Sequence, residues 1–568
     1  MSKSLLIHNN NTPNLEKHMS SIIRFKLEDG DIDQYIDSYI IEKIKDSEFD
    51  VVYIKDSLSS SHIDFHGLRV AFHIRLSVSL GALRHVPIVI LSDVGSYVIN
   101  KITPAGKVIF TPNIFVAENS AKSVEKYNNF VFNKLDEDEF QTQFLNTVSI
   151  DAPKDYLSHH SIANEWSMNR WAEYLNVTSA DVLSVRNNIS SMLYFKYLHS
   201  KFPIAKKSLF NVKQGLNGVG KVLYIDDEWE KGWKSVFDVL FPEESQYKLT
   251  VVEERYKDKS IEEILEFCVQ KINEIKPDVI ILDMRLHPDD FRESKSLIDL
   301  SGLQLFQRIK EINPGIQCVV FTASNNSMLL EELNNLDENI LGYVKKEHPE
   351  NYQMSTQGNI NKLITKVNEG MKRSYLKEIW KINQSIENKL AQDPFRKHIS
   401  NPENYKDMLN ILKKENSYVF DILNSRLPNK ANYAMVSMAT SLDAIQKVFL
   451  KDQYNYKTGT SYTFWDGESV KPKSLKDKML LIFKKLQIYD VSKIDKGLRS
   501  LTQKRNNYIH SNNKFDLVSV SELLSWYALL NTIYSKILNQ KKKEKTAEPE
   551  DQSLSSIKGL SELKSKMK

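Results

Sequence analysis

Five short pieces in fixed order between Lys221 and Glu347 constrain this chain more than any other feature. They are Lys221-Val-Leu-Tyr-Ile-Asp226-Asp227-Glu228, Pro277-Asp-Val-Ile-Ile-Leu-Asp283, Gly302-Leu303, Cys318-Val-Val-Phe-Thr322-Ala323 and Gly342-Tyr343-Val-Lys345-Lys346. The polar residues sit at the C-terminal ends of short runs of Val, Ile, Leu or aromatic residues. Such runs, separated by helix-length segments, are predicted to be buried parallel strands. In an open α/β sheet the carboxyl ends of the strands converge on one crevice, so this order gathers three Asp, one Thr and one Lys. Asp226, Asp227 and Asp283 make a hard, oxygen-rich site suited to Mg²⁺. Without a cation the three carboxylates would repel one another and raise one another's pKa. With it, Asp283 stays ionised and can attack a phosphoryl group as the nucleophile. The Thr322 hydroxyl then hydrogen-bonds a phosphoryl oxygen, and a Lys ammonium supplies a compensating point charge.

On these residues, positions 219–370 resemble the receiver domain of two-component response regulators. The resemblance implies a doubly wound, flavodoxin-like α/β fold on a parallel five-stranded sheet. It implies phosphotransfer to Asp283 from a histidine kinase or phosphotransfer protein, followed by rearrangement around Thr322 and Tyr343. Mg²⁺ would be held by Asp226, Asp227, Asp283 and the backbone carbonyl of Arg285. By the family's Gly-Tyr-x-x-Lys spacing the lysine is Lys346, with Lys345 as the alternative. One departure stands out. Receivers reach the Gly soon after the acceptor, whereas here 19 positions separate Asp283 from Gly302. The charged insertion, Pro288 to Leu300, either covers or widens the site.

The chain begins with what resembles a second receiver stripped of its acids. Phe49-Asp-Val-Val-Tyr-Ile-Lys55 aligns with the strand ending at Asp283, which puts Lys55 at the acceptor position. His8 and Asn9 replace the acidic pair, Gly67-Leu68 matches Gly302-Leu303, and the strand ending at Ser92 matches the one ending at Thr322. A Lys cannot accept a phosphoryl group in this way, and Mg²⁺ loses its ligands. Residues 1–150 are therefore expected to be a degenerate α/β domain kept for packing or dimerisation. Asp56 follows Lys55, and strand alternation predicts that it points away from the crevice.

At 568 residues the chain has room for about four domains. Lys and Arg number 77 against 73 Asp and Glu, a net +4 too balanced to mark a nucleic-acid coat. The two cysteines, Cys268 and Cys318, fall in apolar stretches and suit a reducing compartment. The first residues lack a signal-peptide core, and no run approaches the ~18 apolar residues of a membrane helix. A cytoplasmic protein without membrane contact is expected.

Residues 151–205 carry a helical pattern (Trp166, Trp171, Tyr174, Leu183, Met192, Tyr194), with His159 and His160 expected on the surface. Residues 206–220, with Gly215, Gly218 and Gly220, are a linker by composition. After the receiver-like stretch 221–371, residues 372–425 place Leu376, Ile379, Trp380, Ile382, Ile386 and Leu390 at helical spacing and suit a helical connector. The tail 541–568 is charged, Ser-rich and free of aromatics, and disorder is expected there.

An output is then expected in 426–540, which is helical in pattern and predicted to be an all-α bundle. No helix-turn-helix pair with a basic recognition helix is present, which disfavours DNA. Arg505-Asn506-x-x-x-His510, late in a four-helix unit, resembles the signature of HEPN domains, many of which are metal-independent ribonucleases. The residues suit that chemistry. His510 can move a proton, Arg505 can face a developing phosphorane, and Asn506 shares a helical face with His510 and can orient its imidazole. In that family two such motifs meet across a symmetric dimer, so a homodimer and an RNA substrate are implied. Asp443 and Lys447, at i,i+4 on an earlier helix, suit a surface ion pair or polar support for this motif. Tyr454, Tyr456, Tyr462, Phe464 and Trp465 form either a base-stacking surface or a packed hairpin. Two functions follow. The chain is a response regulator in which Asp283 controls an RNA-cleaving output, or a non-enzymatic phospho-switch whose helical C-terminal domain binds a partner protein.

Overall fold

The computed structural model describes residues 3–539, without 11–13, 28–29, 60, 62–63, 134, 154–158, 205–215, 217–218, 244, 257, 292–295, 324–339, 348–354, 397, 458, 489–490 and 511–516. The tail, most of the expected linker and part of the insertion after Asp283 therefore lie outside the described residues.

The N-terminal sheet is built from β1 (Ser4–His8), β2 (Ser21–Arg24), β3 (Val51–Lys55), β4 (Ile88–Leu91) and β5 (Ile114–Ala117). All pairings are parallel, in the order β2-β1-β3-β4-β5. Strands β1, β3 and β4 are buried at every position. Such strands are covered on both faces, which is why they read as unbroken apolar runs. Helix α1 (His66–Leu76) follows β3 so closely that a Cβ on Gly67 would stand 1.9 Å from the Lys55 carbonyl oxygen.

Three helices follow: α2 (His159–Tyr174), α3 (Ala180–Ser190) and α4 (Leu193–Lys201). The side chains of His159 and His160 lie outside the described residues. A buried polar network ties α4 to the first unit. Asp33 accepts from the Arg69 guanidinium, from the Leu193 N–H at 2.8 Å, and lies 2.9 Å from His73 Nε2. Lys196 bonds Asp37 and donates to Ser77 Oγ at 2.8 Å.

The second sheet repeats the first. Strands β6 (Gly220–Ile225), β7 (Tyr247–Val251), β8 (Val279–Leu282), β9 (Gln317–Thr322) and β10 (Ile340–Lys345) are parallel, in the order β10-β9-β8-β6-β7. Helices α5 (Lys234–Leu240), α6 (Ile261–Ile275), α7 (Ser301–Ile312) and α8 (Thr356–Lys372) accompany it. Ser260 and Glu263 close a capping box on α6, which starts that helix where the apolar periodicity begins. Gly220, expected in the linker, opens β6 instead. A Cβ there would meet Met371 Sδ at 2.4 Å, so its role is close packing rather than flexibility.

The C-terminal unit holds α9 (Tyr375–Ala391), α10 (Tyr405–Asn424), α11 (Lys430–Phe449), α12 (Leu475–Lys485), α13 (Ser492–His510) and α14 (Val520–Asn539). Two expectations need correcting. First, the stretch 372–425 is no free connector. The α9 stripe Leu376, Ile379, Ile386 and Leu390 is buried in the same core as α11 and α14, because an apolar helical face must find a partner. Asn383 seals the contact, donating to the Asn416 carbonyl at 2.7 Å and to Tyr527 Oη at 3.0 Å. Second, the unit is not all-α. Between α11 and α12, β11 (Leu450–Asn455), β12 (Gly459–Phe464) and β13 (Ser469–Val470) form a three-stranded antiparallel sheet. Its Tyr-, Thr- and Phe-rich alternation favours strands. Phe464 is buried and Trp465 packs on Phe449 at the base, while Tyr454 and Tyr456 are 78% and 88% exposed at the tip. Among the described residues no helix is long and apolar enough to cross a membrane.

Candidate functional site

Register sets the site. Ile225 pairs with Leu282, and Leu282 with Val320, so Asp226 and Asp283 follow their strands beside Thr322, the last residue of β9, at one sheet edge. The backbone repeats the pattern beyond the strands, since the Asp283 N–H donates to the Ile225 carbonyl at 2.9 Å and the Lys346 N–H to the Thr322 carbonyl at 2.7 Å. A Cβ on Gly302 would lie 2.1 Å from the Asp283 carbonyl oxygen, so only glycine lets α7 approach the end of β8.

Lys346 is the centre of the arrangement. It is buried, and its Nζ donates to Asp226 Oδ2 at 2.8 Å and Asp283 Oδ2 at 2.7 Å. Burial pulls the ammonium pKa down, but Asp226 and Asp283 more than offset this and the group is held above the ordinary lysine value. Lys345 sits in β10 and is half-buried, so of the two candidates Lys346 meets the acids. Asp226 is also bonded by Tyr224 Oη at 2.7 Å and by the Glu228 N–H at 2.8 Å. Burial, then the charges of Glu228, Asp226 and Asp283, push the Asp227 carboxyl well above its usual range.

The residues fit a hard divalent cation. One oxygen each from Asp226, Asp227 and Asp283 lie within 4.8 Å of one another. Asp227 Oδ1 is buried without a hydrogen-bond partner among the described residues, an arrangement a cation would relieve. Arg285 is half-buried, and its N–H donates to Asp283 Oδ1 at 3.2 Å. Thr322 is buried at the end of β9, whereas Tyr343 is half-buried with its ring 4.5 Å below the Lys362 ammonium. Asp290, in the insertion, is buried and accepts from the Leu286 N–H at 3.2 Å and from the Ser301 hydroxyl, on either side of it.

The first unit holds the same positions with different chemistry. Ile7 pairs with Ile54, and Ile54 with Ile90, so His8, Lys55 and Ser92 stand where Asp226, Asp283 and Thr322 stand. Lys55 is buried and its Nζ donates to Asn9 Oδ1 at 3.3 Å. Asp56 does not turn away as alternation predicted. It lies past the end of β3, is buried, and accepts from Ser92 Oγ at 2.5 Å.

The C-terminal candidates are less enclosed. Arg505 and His510 lie near the end of α13, where His510 is exposed. Asp443 pairs with Arg505 at 3.7 Å rather than with Lys447, because Asp443 faces α13 from the neighbouring helix. Asn506 Oδ1 accepts from Arg505 at 3.1 Å and so serves the guanidinium, not the imidazole.

Sequence reasoning missed several residues at the acidic crevice. Tyr224 had a signal, since i and i+2 of a strand share a face with Asp226. Asn164, Ser167, Arg170 and Trp171 of α2 had none, because they come from a helix more than fifty residues upstream of the acids.

A search of curated proteins finds no match to the chain. Residues 5–117 match the family model for the inactive receiver domain. That match agrees with the five-stranded sheet and with the loss of carboxylates at His8, Asn9 and Lys55, and the first α/β unit is an inactive receiver domain of signal transduction.

Proposed function

We propose that the chain is a response regulator in which Asp283 accepts a phosphoryl group from a histidine kinase or phosphotransfer protein and controls the C-terminal helical unit. The observation that carries this is the Lys346 ammonium lying between Asp226 and Asp283 at the sheet edge that also holds Thr322. Mg²⁺, held by Asp226, Asp227, Asp283 and the Arg285 carbonyl, would balance the carboxylates and the phosphoryl oxygens. A carboxylate oxygen of Asp283 attacks phosphorus, and the bond from phosphorus to the donor breaks, its electron pair leaving with the donor. The Lys346 ammonium and the Thr322 hydroxyl then turn to phosphoryl oxygens, with Tyr343 and α8 following. Uptake of beryllofluoride with Mg²⁺ by the full chain, lost in Asp283→Asn, is the expected result. No uptake by the unaltered chain would make the second unit purely architectural.

The Arg505–Asp443 pair favours an RNA-cleaving, HEPN-like output working as a homodimer. It fixes a guanidinium five residues from an exposed imidazole. Cleavage of RNA that responds to beryllofluoride and vanishes in His510→Ala is expected. A mimic that binds without cleavage in any state would leave a switch acting through a protein partner.

A further inference from the structure

We propose that helix α2, which lies outside the second α/β unit, is part of the Asp283 site and latches it in the arrangement in which Lys346 bridges Asp226 and Asp283. The inference rests on the receiver reading of Asp283.

One helix grips the residues on both sides of the crevice. Asn164 is wholly buried; its Oδ1 accepts from Trp233 Nε1 at 2.8 Å and its amide donates to Glu228, directly after the acidic pair. Ser167 Oγ accepts from the N–H of Glu347, directly after Lys346, at 2.8 Å. Arg170 pairs with the Glu347 carboxylate at 3.4 Å, both side chains being more than nine-tenths buried. Trp171 lies 5.5 Å from the Trp233 ring and 5.4 Å from the Phe321 ring. Those two rings stand 5.4 and 5.1 Å from the Lys346 ammonium. Gly232 permits the approach, since a Cβ there would stand 2.8 Å from Met168 Sδ of α2.

A helix needed only as a spacer would present apolar residues here, because buried polar groups cost stability unless bonded. Here Asn164, Ser167 and Arg170 are buried and spent on Glu228, Trp233 and Glu347. On the receiver reading the Lys346 ammonium leaves Asp226 for a phosphoryl oxygen, and Asp226 and Asp227 would adjust to hold a cation. Each movement shifts backbone next to a residue that α2 holds. Coupling of this kind is reciprocal: contacts that favour the Lys346 bridge are weakened when the ammonium turns to a phosphoryl oxygen. Helix α2 leads through α3 and α4 to the inactive receiver, so site occupancy is passed to the N-terminal unit as well as onward to α8.

The test uses the full chain, with binding of Mg²⁺ and beryllofluoride followed by tryptophan fluorescence and amide hydrogen exchange. Ser167→Ala and the double variant Asn164→Ala/Arg170→Ala should bind the mimic at least about fivefold more tightly than the unaltered chain. Exchange in 159–174 of the unaltered chain should rise when the mimic binds. Ser167→Ala keeps the test valid if the double variant fails to fold. Equal or weaker binding by Ser167→Ala, or unchanged exchange in 159–174 with the mimic bound, overturns the latch and leaves the receiver reading standing. Absence of binding by the unaltered chain and both variants overturns both.

Discussion

Lys346 is charged and buried at once, with two carboxylate partners that offset the cost of its burial. Removing one member of a buried ionic cluster leaves the others uncompensated, at about 3–5 kcal/mol. Lys346→Met should therefore lower the melting temperature, and Mg²⁺ should restore part of the loss by taking over the charge. A melt that is unchanged by the substitution would show the lysine to be dispensable. Because its pKa is raised in the folded state, the stability Lys346 contributes is fully present below the ordinary lysine value and is lost only as pH climbs through the folded one. Gly302 is the second residue on which the site turns. Gly302→Ala drives a Cβ to 2.1 Å from a backbone oxygen that cannot swing aside, and about 2–3 kcal/mol of destabilisation is expected by denaturant unfolding. Gly95→Ala, where nothing lies within 4 Å, is the control and should be close to neutral.

At the scale of elements, α2 and α4 join the two sheets, and a histidine marks their junction. His199 Nε2 lies 3.1 Å from Asn169 Nδ2, and its ring sits 4.9 Å from Trp166. Burial, then Arg170 and Arg186, pushes its imidazole down to about 4, below the ordinary histidine value of 6.5. A depressed histidine binds its proton more readily in the unfolded chain, so stability is full above the unfolded value and falls as pH drops from about 6.5 towards 4. Allowing for partial exposure, about 1–2 kcal/mol is at stake. Urea midpoints at pH 7.5 and pH 5 should differ by less in His199→Gln than in the unaltered chain; an equal difference would place the titration elsewhere. The C-terminal helices make the same point about elements. Asn383, Asn416 and Tyr527 bond one another from α9, α10 and α14, so the supposed connector is a structural layer of the bundle.

At the scale of the molecule the chain is two similar sheets and a helical unit with a small sheet of its own. Among the described residues the C-terminal core draws on those from Tyr375 to Ile537. A fragment beginning at 373 should therefore unfold cooperatively, whereas one beginning at 426 should not; circular dichroism melts decide between them. Sequence by itself determined the two parallel sheets, because a buried parallel strand needs an unbroken apolar run and each run ends at the residue that faces the crevice. It also placed Asp226 and Asp283 side by side, left His8, Asn9 and Lys55 where the second unit has acids, and put Lys346 ahead of Lys345 by spacing. Tertiary structure alone decided the rest. The partner of Asp443 is Arg505, on a different helix, and no local period links the two. The burial of Leu376 and Ile379 depended on what lay opposite them, since an amphipathic stripe states that a partner exists without naming it. The grip of Asn164, Ser167 and Arg170 on Glu228 and Glu347 is legible only in three dimensions, because side chains that meet across the chain leave no spacing in the sequence.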